Sequence, residues 1–202
     1  FMVRGVTIAV SKMVTGRTQL GGLEESKGYN IMSTLFSNSL TISETDFPIS
    51  ILWWVLFGIL GYLLLKHTQT GNWIFATGAS KESAKLMGIP VDRVKTSLFM
   101  LTAFCAWFIA ITQVTTFGGA DVLRGEQKEF IAIIAAVIGG TLLTGGYGSI
   151  IGAMIGALIF GIVKQGIIFA GADADWFQVF MGVMLISAVL VNGVFRKKYA
   201  HS

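Results

Sequence analysis

Three stretches of this chain carry no charged residue: Ile49 to Leu65, Thr96 to Phe117 and Trp176 to Phe195. A helix needs ~20 mostly apolar residues, and at least about 17, to cross about 30 Å of hydrocarbon. With Phe47 and Lys66 at its flanks the first stretch qualifies. Trp53 and Trp54 lie near one of its ends, where indole rings favour a membrane interface. The other two stretches qualify outright, so each of the three is expected to be a transmembrane helix. Charge is scarce throughout, at 13% of residues against about 25% in a soluble domain. The 25 glycines in a chain that is 53% hydrophobic suit helices that approach closely in lipid.

Two shorter uncharged runs, Phe130 to Leu143 and Ile150 to Val163, flank the segment Thr144 to Ser149, TGGYGS. They read either as two full spans that include their small flanking residues or as a re-entrant hairpin. A hairpin would have to be buried in protein, because irregular backbone exposed to lipid leaves polar groups unsatisfied. The fold class is therefore all-α, a polytopic transmembrane helical bundle. Spans are expected at about 48–65, 96–117, 130–144, 149–164 and 176–195 within one transmembrane domain over 1–202. Residues 1–15 read as the end of a helix whose start is absent, and the chain begins at Phe1, so an N-terminally incomplete chain is expected. The polar stretch from 16 to 47 reads as a loop with room for one short helix.

The charges divide by loop. Lys66, Lys81, Lys85, Arg93 and Lys95 outnumber Glu82 and Asp92, and the tail carries Arg196, Lys197 and Lys198 with no acid. The remaining loops are near neutral or acidic: Arg17 and Lys27 against Glu24, Glu25, Glu44 and Asp46; Arg124 and Lys128 against Asp121, Glu126 and Glu129; Lys164 against Asp173 and Asp175. Counting spans puts the basic segments on one face and the acidic ones on the other, which makes 66–95 and the tail cytoplasmic and 16–47 periplasmic. The same pattern accounts for the net charge of +4 without a nucleic-acid partner.

Within the cytoplasmic loop, Ser80 can cap a helix over Lys81 to Met87 that Gly88 and Pro90 end. It is either a polar connector or a docking helix for a soluble partner. Gly139, Gly140, Gly145, Gly146 and Gly148, followed by Gly152, Gly156 and Gly161, suit helix packing, a subunit interface or a pore wall. Gly152-x-x-x-Gly156 and Ala157-x-x-x-Gly161 have the close-packing spacing. No Gly-Lys-Ser/Thr follows, so this is no phosphate loop. The five apolar runs hold no ionisable residue, whereas ion-coupled carriers place one near the midplane. Thr102, Thr112, Gln113, Thr141, Ser187 and Asn192 are the deepest polar groups, suited to a neutral polyol or to interhelical bonds. His67 and His201 read as solvated, and Cys105 as a packing residue. No catalytic or metal-ligating constellation is present in the sequence, and no cofactor is expected.

Two motifs resemble a known family. Ala76 to Lys95, ATGASKESAKLMGIPVDRVK, resembles the cytoplasmic loop of ribose-type ABC sugar permeases, with a pattern like A-x-G-G-N-x-x-A-A-x-x-x-G-I-x-V-x-x-x-K. Glu129 to Ser149, EFIAIIAAVIGGTLLTGGYGS, is similar to the family's E-L-x-A-I-A-A-V-V-x-G-G-T-x-x-x-G-G-x-G-S. The resemblance runs from about Arg4 to the C-terminus. Ala79 and Ser80 depart from the usual Gly-Asn, Ile131 from a frequent Asp, and 121–128 from the common outer loop.

The resemblance implies a permease subunit of an ATP-driven monosaccharide or polyol importer in the bacterial cytoplasmic membrane, a transport subunit and not an enzyme. Its partners would be an ABC ATPase subunit, a periplasmic sugar-binding protein, a second permease protomer and the lipid bilayer. Gly78, Ser80, Glu82, Ala84, Gly88 and Ile89 would couple to the ATPase. Gly139, Gly140, Thr141, Gly145, Gly146 and Gly148 would form a glycine hairpin near the translocation path. An ATP-independent channel and a membrane scaffold are the competing readings.

Overall fold

The computed structural model describes residues 2–26, 28–42, 45–171 and 174–200. Lys27, Glu44, Asp173 and His201 lie outside them, as do the side chains of Asp175, Asn192, Arg196, Lys197 and Lys198. Helices dominate: α1 (Met2–Thr15), α2 (Tyr29–Phe36), α3 (Ser50–His67), α4 (Gln69–Ala79), α5 (Lys81–Leu86), α6 (Val91–Phe117), α7 (Lys128–Ile138), α8 (Ile150–Phe169) and α9 (Ala174–Ala200). The all-α class holds. Four short strands are the β structure among the described residues: β1 (Gln19–Leu20), β2 (Ser39–Ile42), β3 (Thr45–Pro48) and β4 (Ala120–Asp121).

Helices α3, α6 and α8 are long and apolar enough to cross a membrane. At 1.5 Å per residue α8, with 20 residues, is about 30 Å long. By contrast α7 has 11 residues and is about 16 Å long, roughly half the hydrocarbon thickness. Within α9 the described apolar portion is Trp176–Ser187.

The chain forms two compact units, and α3 and α6 each contribute to both. One unit comprises residues 1–57 and 97–126. In it β1 pairs antiparallel with β4, matching Gln19 with Asp121 and Leu20 with Ala120, and β2 pairs antiparallel with β3. The Arg4 guanidinium donates to both Glu126 carboxylate oxygens, at 2.6 and 2.7 Å. An aromatic cluster gathers Phe36 of α2, Trp53 and Phe57 of α3 and Phe108 of α6, with Phe57 and Phe108 4.8 Å apart. Edge-to-face pairs of this kind add about 0.5–1.5 kcal/mol beyond burial. The Trp53 indole N–H donates to the Leu35 carbonyl at 3.0 Å, and the Tyr29 hydroxyl to Thr115 at 2.7 Å. These bonds tie α2 to the helices beside it.

The other unit comprises residues 58–96 and 127–202. Its core joins Ile134 of α7, Phe160 of α8 and Met181 of α9, flanked by Ile131, Ile138, Phe177, Met184 and Leu185. Glycines let the helices approach. A methyl built on Gly61 of α3 would lie 3.2 Å from Ile150 Cδ1, and one on Gly58 would strike the Met154 thioether. Residues 66–95, a loop with one short helix by sequence, are mostly helical. Besides α5 they contain α4, whose Trp73, Ile74, Phe75 and Ala76 are half-buried. Packing of these four consecutive residues, which run around the helix, stabilises a helix that a count of charges does not reveal.

Candidate functional site

The second unit contains both groups of residues that the motifs single out. The first is the α4–α5 corner. Thr68 caps α4, its hydroxyl accepting from the Gly71 N–H at 3.2 Å. A Cβ on Gly71 would meet the Leu64 carbonyl at 2.6 Å, so the α3–α4 turn is closed by backbone. Ser80 ends α4 and starts α5, and its hydroxyl accepts from the Ser83 N–H at 3.2 Å. Glu82 stands exposed in the first turn, where the helix dipole favours an acid. At the other end Gly88 has φ 80°, a left-handed conformation that glycine adopts without steric penalty. Its N–H donates to Lys85 and the Ile89 N–H to Ala84, both at 3.0 Å, which is a Schellman closure.

α5 has one inward and one outward side. Ala84 is fully buried, as are Val91 and Val94 at the start of α6. Leu86 and Met87 point outward, 90% and 67% exposed. The Lys85–Asp92 pair, 3.8 Å apart and exposed, contributes little.

The second group is the glycine turn between α7 and α8. Gly139 ends α7 and Gly140 follows at φ 85°. The Gly140 N–H donates to Val137 at 2.9 Å and the Thr141 N–H to Ala136 at 3.0 Å, the same closure as at Gly88. Gly145 and Gly146 are both left-handed, at φ 87° and 79°. The Leu142 N–H donates to Tyr147 at 3.0 Å across the turn, and a Cβ on Gly148 would lie 2.9 Å from Thr141 Cγ2. Ser149 then caps α8 by accepting from the Gly152 N–H at 3.0 Å. Below the turn α7 and α8 touch main chain to main chain. A Cβ on Gly139 would collide with the Gly152 carbonyl, and one on Gly156 with the Ala135 carbonyl. The Gly152–Gly156 spacing thus serves packing between α7 and α8, whereas Gly161 has nothing within 4 Å of a built Cβ.

The two groups meet. A Cβ on Gly78 would lie 2.5 Å from the Gly146 nitrogen, one on Gly145 would lie 2.8 Å from the Gly78 oxygen, and one on Gly146 would lie 2.9 Å from Ala79 Cα. The end of α4 therefore rests directly on the backbone of the turn. Beside this seam the Thr77 hydroxyl is buried without a hydrogen-bond partner among the described residues. Such a group costs about 1–3 kcal/mol. Thr77, Leu86, Met87, Gly58, Gly61 and Gly71 were missed as site or packing residues by sequence reasoning. The Gly58-x-x-Gly61 spacing on an apolar helix was a usable signal, while nothing local marked Thr77.

Among the described residues no group of histidine, cysteine and carboxylate side chains is placed to hold a metal ion. Long apolar helices, capped connecting turns and glycine seams describe a polytopic membrane protein. The chain belongs to the family described as branched-chain amino acid transport system / permease component, whose model matches residues 3–189. It is 31% identical to the fructose import permease protein of Bifidobacterium longum over 158 residues, 78% of this chain and 46% of that protein. It is 34% identical to the ribose import permease protein of Escherichia coli over 134 residues, 66% and 42% of the two chains. With the ribose import permease protein of Bacillus subtilis the identity is 33% over 153 residues, 76% and 47%. These matches bear out the resemblance to ribose-type permeases and a location in the bacterial cytoplasmic membrane. The chain spans about half the length of the curated relatives it matches. No solved structure matches.

Proposed function

We propose that this chain belongs to the membrane-spanning subunit of an ATP-driven importer for a monosaccharide or polyol. In this reading α4 and α5 form a cytoplasmic surface that docks a separate ATPase, with Leu86 and Met87 as its apolar anchors. A periplasmic sugar-binding protein delivers solute to the opposite face, and a second permease protomer completes the path. The excess of Lys66, Lys81, Lys85, Arg93 and Lys95 supports the cytoplasmic placement. At about 16 Å α7 does not cross a bilayer by itself and reaches the cytoplasmic side only together with the glycine turn, whereas α8 is long enough to span.

One observation carries the proposal: the docking segment touches the glycine turn through main chain, at Gly78–Ala79 against Gly145–Gly146. A push on α5 reaches the α7–α8 hairpin through that contact. The sugar is inferred from the names of the relatives, which are ribose and fructose import permeases. The test uses the full-length permease, its ATPase and its binding protein in proteoliposomes. Leu86→Asp with Met87→Asp should abolish ATPase co-purification and ATP-driven uptake while membrane insertion persists. Equal sugar flux through the permease alone, without ATPase or ATP, would replace this reading with that of a facilitator.

A further inference from the structure

A cavity of about 210 Å³ opens between α7 and α9. Its wall is Gln127 just before α7, Phe130 and Ile134 on α7, and Gln178, Met181, Gly182 and Leu185 on α9. Phe130 and Ile134, four residues apart, share one face of α7, and Gln178, Met181, Gly182 and Leu185 share one face of α9. Ile134 and Met181 form the deep wall, at 1% and 8% exposure, whereas Phe130 remains 47% exposed. A Cβ on Gly182 would meet nothing within 4 Å, so this position leaves room rather than packing.

Three features set this cavity apart from a gap between helices. First, the Gln127 side chain is half-buried and that of Gln178 exposed, and neither amide is engaged by another described residue, so both are free to bond a solute or water. Each amide offers two donors and an acceptor with two lone pairs. Second, Gln127 has φ 61°, and it is the one non-glycine residue at positive φ among the described residues. It precedes α7 without capping it by its side chain. A left-handed glutamine is held there against a steric cost, a situation that recurs at ligand sites. Third, no charged residue lines the cavity. An ionic solute would lose hydration without gaining a counter-charge.

We infer that this cavity is a binding subsite for a neutral polyhydroxylated solute. The Gln127 and Gln178 amides hydrogen-bond its hydroxyls, and Phe130 and Met181 pack against its C–H face. The volume is below the ~300–1,000 Å³ of sites for drug-sized molecules, and it suits a single sugar ring. The inference rests on the importer reading, and it adds where on this chain the sugar is recognised and by which groups.

The experiment labels a cysteine at the cavity in the full-length permease, assembled with its ATPase in nanodiscs. The variant is Gln178→Cys with Cys105→Ser, and modification of residue 178 by a hydrophilic maleimide is followed by mass spectrometry. D-ribose and D-fructose are the probes, with D-gluconate as a charged control of similar size. The expected result is labelling that either sugar slows and gluconate does not. Labelling that no sugar changes would overturn the inference, showing a cavity open to water but not selective. Absence of labelling would also overturn it, since another helix or lipid would then fill the cavity. In parallel, Gln178→Leu should raise KM for uptake by about two- to tenfold with little change in maximal rate. An unchanged KM in a transporter that still takes up sugar would sink the subsite alone. A wild-type complex without ATP-driven uptake would sink the importer reading.

Discussion

Three glycine-to-alanine substitutions separate the energetic terms at the seam between α4 and the glycine turn. Gly140→Ala meets no atom within 4 Å but sits at φ 85°, so it carries only the left-handed backbone penalty, about 1–2 kcal/mol. Gly78→Ala has no such φ, but its methyl would lie 2.5 Å from the Gly146 nitrogen, a backbone atom that no rotamer can move aside. It carries only an overpacking penalty, about 1–3 kcal/mol. Gly146→Ala combines φ 79° with a Cβ 2.9 Å from Ala79 Cα, so both penalties apply and about 2–5 kcal/mol is expected. The assay is reversible unfolding of the purified permease in mixed micelles, followed by tryptophan fluorescence. ATP-driven uptake is measured on the same variants. Gly78→Ala and Gly146→Ala should uncouple ATP hydrolysis from uptake, and Gly140→Ala should not. If Gly78→Ala were as stable as wild type and fully coupled, the seam would not be the close contact described.

Other outcomes follow from single groups. Ser80→Ala removes the cap of α5 and should destabilise the permease by about 1 kcal/mol in the same unfolding assay, with Ser80→Gly milder. Thr77→Val replaces an unpartnered buried hydroxyl with a methyl and should be neutral or stabilising by about 1 kcal/mol, read in that assay. The Lys128 pKa is lowered from its ordinary 10.5, by burial first and by the Lys164 charge second. Below the depressed value both folded and unfolded forms are protonated and the penalty is complete; between it and 10.5 the unfolded form binds more protons, so stability rises with pH. Lys128 stays exposed, so solvent screens most of this penalty, and Lys128→Met should be only slightly more stable than wild type near neutral pH, with the difference shrinking as the pH is raised toward 10.5.

Local features were readable because their causes are local. Ser80, Gly88 and Pro90 delimit α5 through hydrogen bonds and dihedral limits that involve near neighbours only. The uncharged runs at α3 and α6 are legible because length and hydropathy suffice, whereas the shorter run within α8 left a full span and a re-entrant hairpin both open. What the residues did not disclose is which glycines touch. Gly78 and Gly146 are far apart in sequence, and their meeting depends on how α7 and α8 stack through Gly139, Gly152 and Gly156. The pairing of β1 with β4 is equally non-local. The outward placement of Leu86 and Met87 depends on Ala84 being the side of α5 that packs inward, which the loop's own sequence does not state. Gln127 and Gln178 read as ordinary polar residues at helix ends until the helices that carry them are set side by side.

The main-chain contact at Gly78, Gly145 and Gly146 has a mechanical corollary. Side chains between two moving parts act as soft springs, because a turn about χ takes up part of any displacement. Here the one side-chain atom at the contact is the Ala79 methyl, which has no χ to turn, and peptide units are nearly rigid plates. A shift of α4 by a fraction of an ångström must therefore drive the turn or open a gap. Such a junction behaves as a stiff linkage with little lost motion, and its timing is set by whatever moves α4.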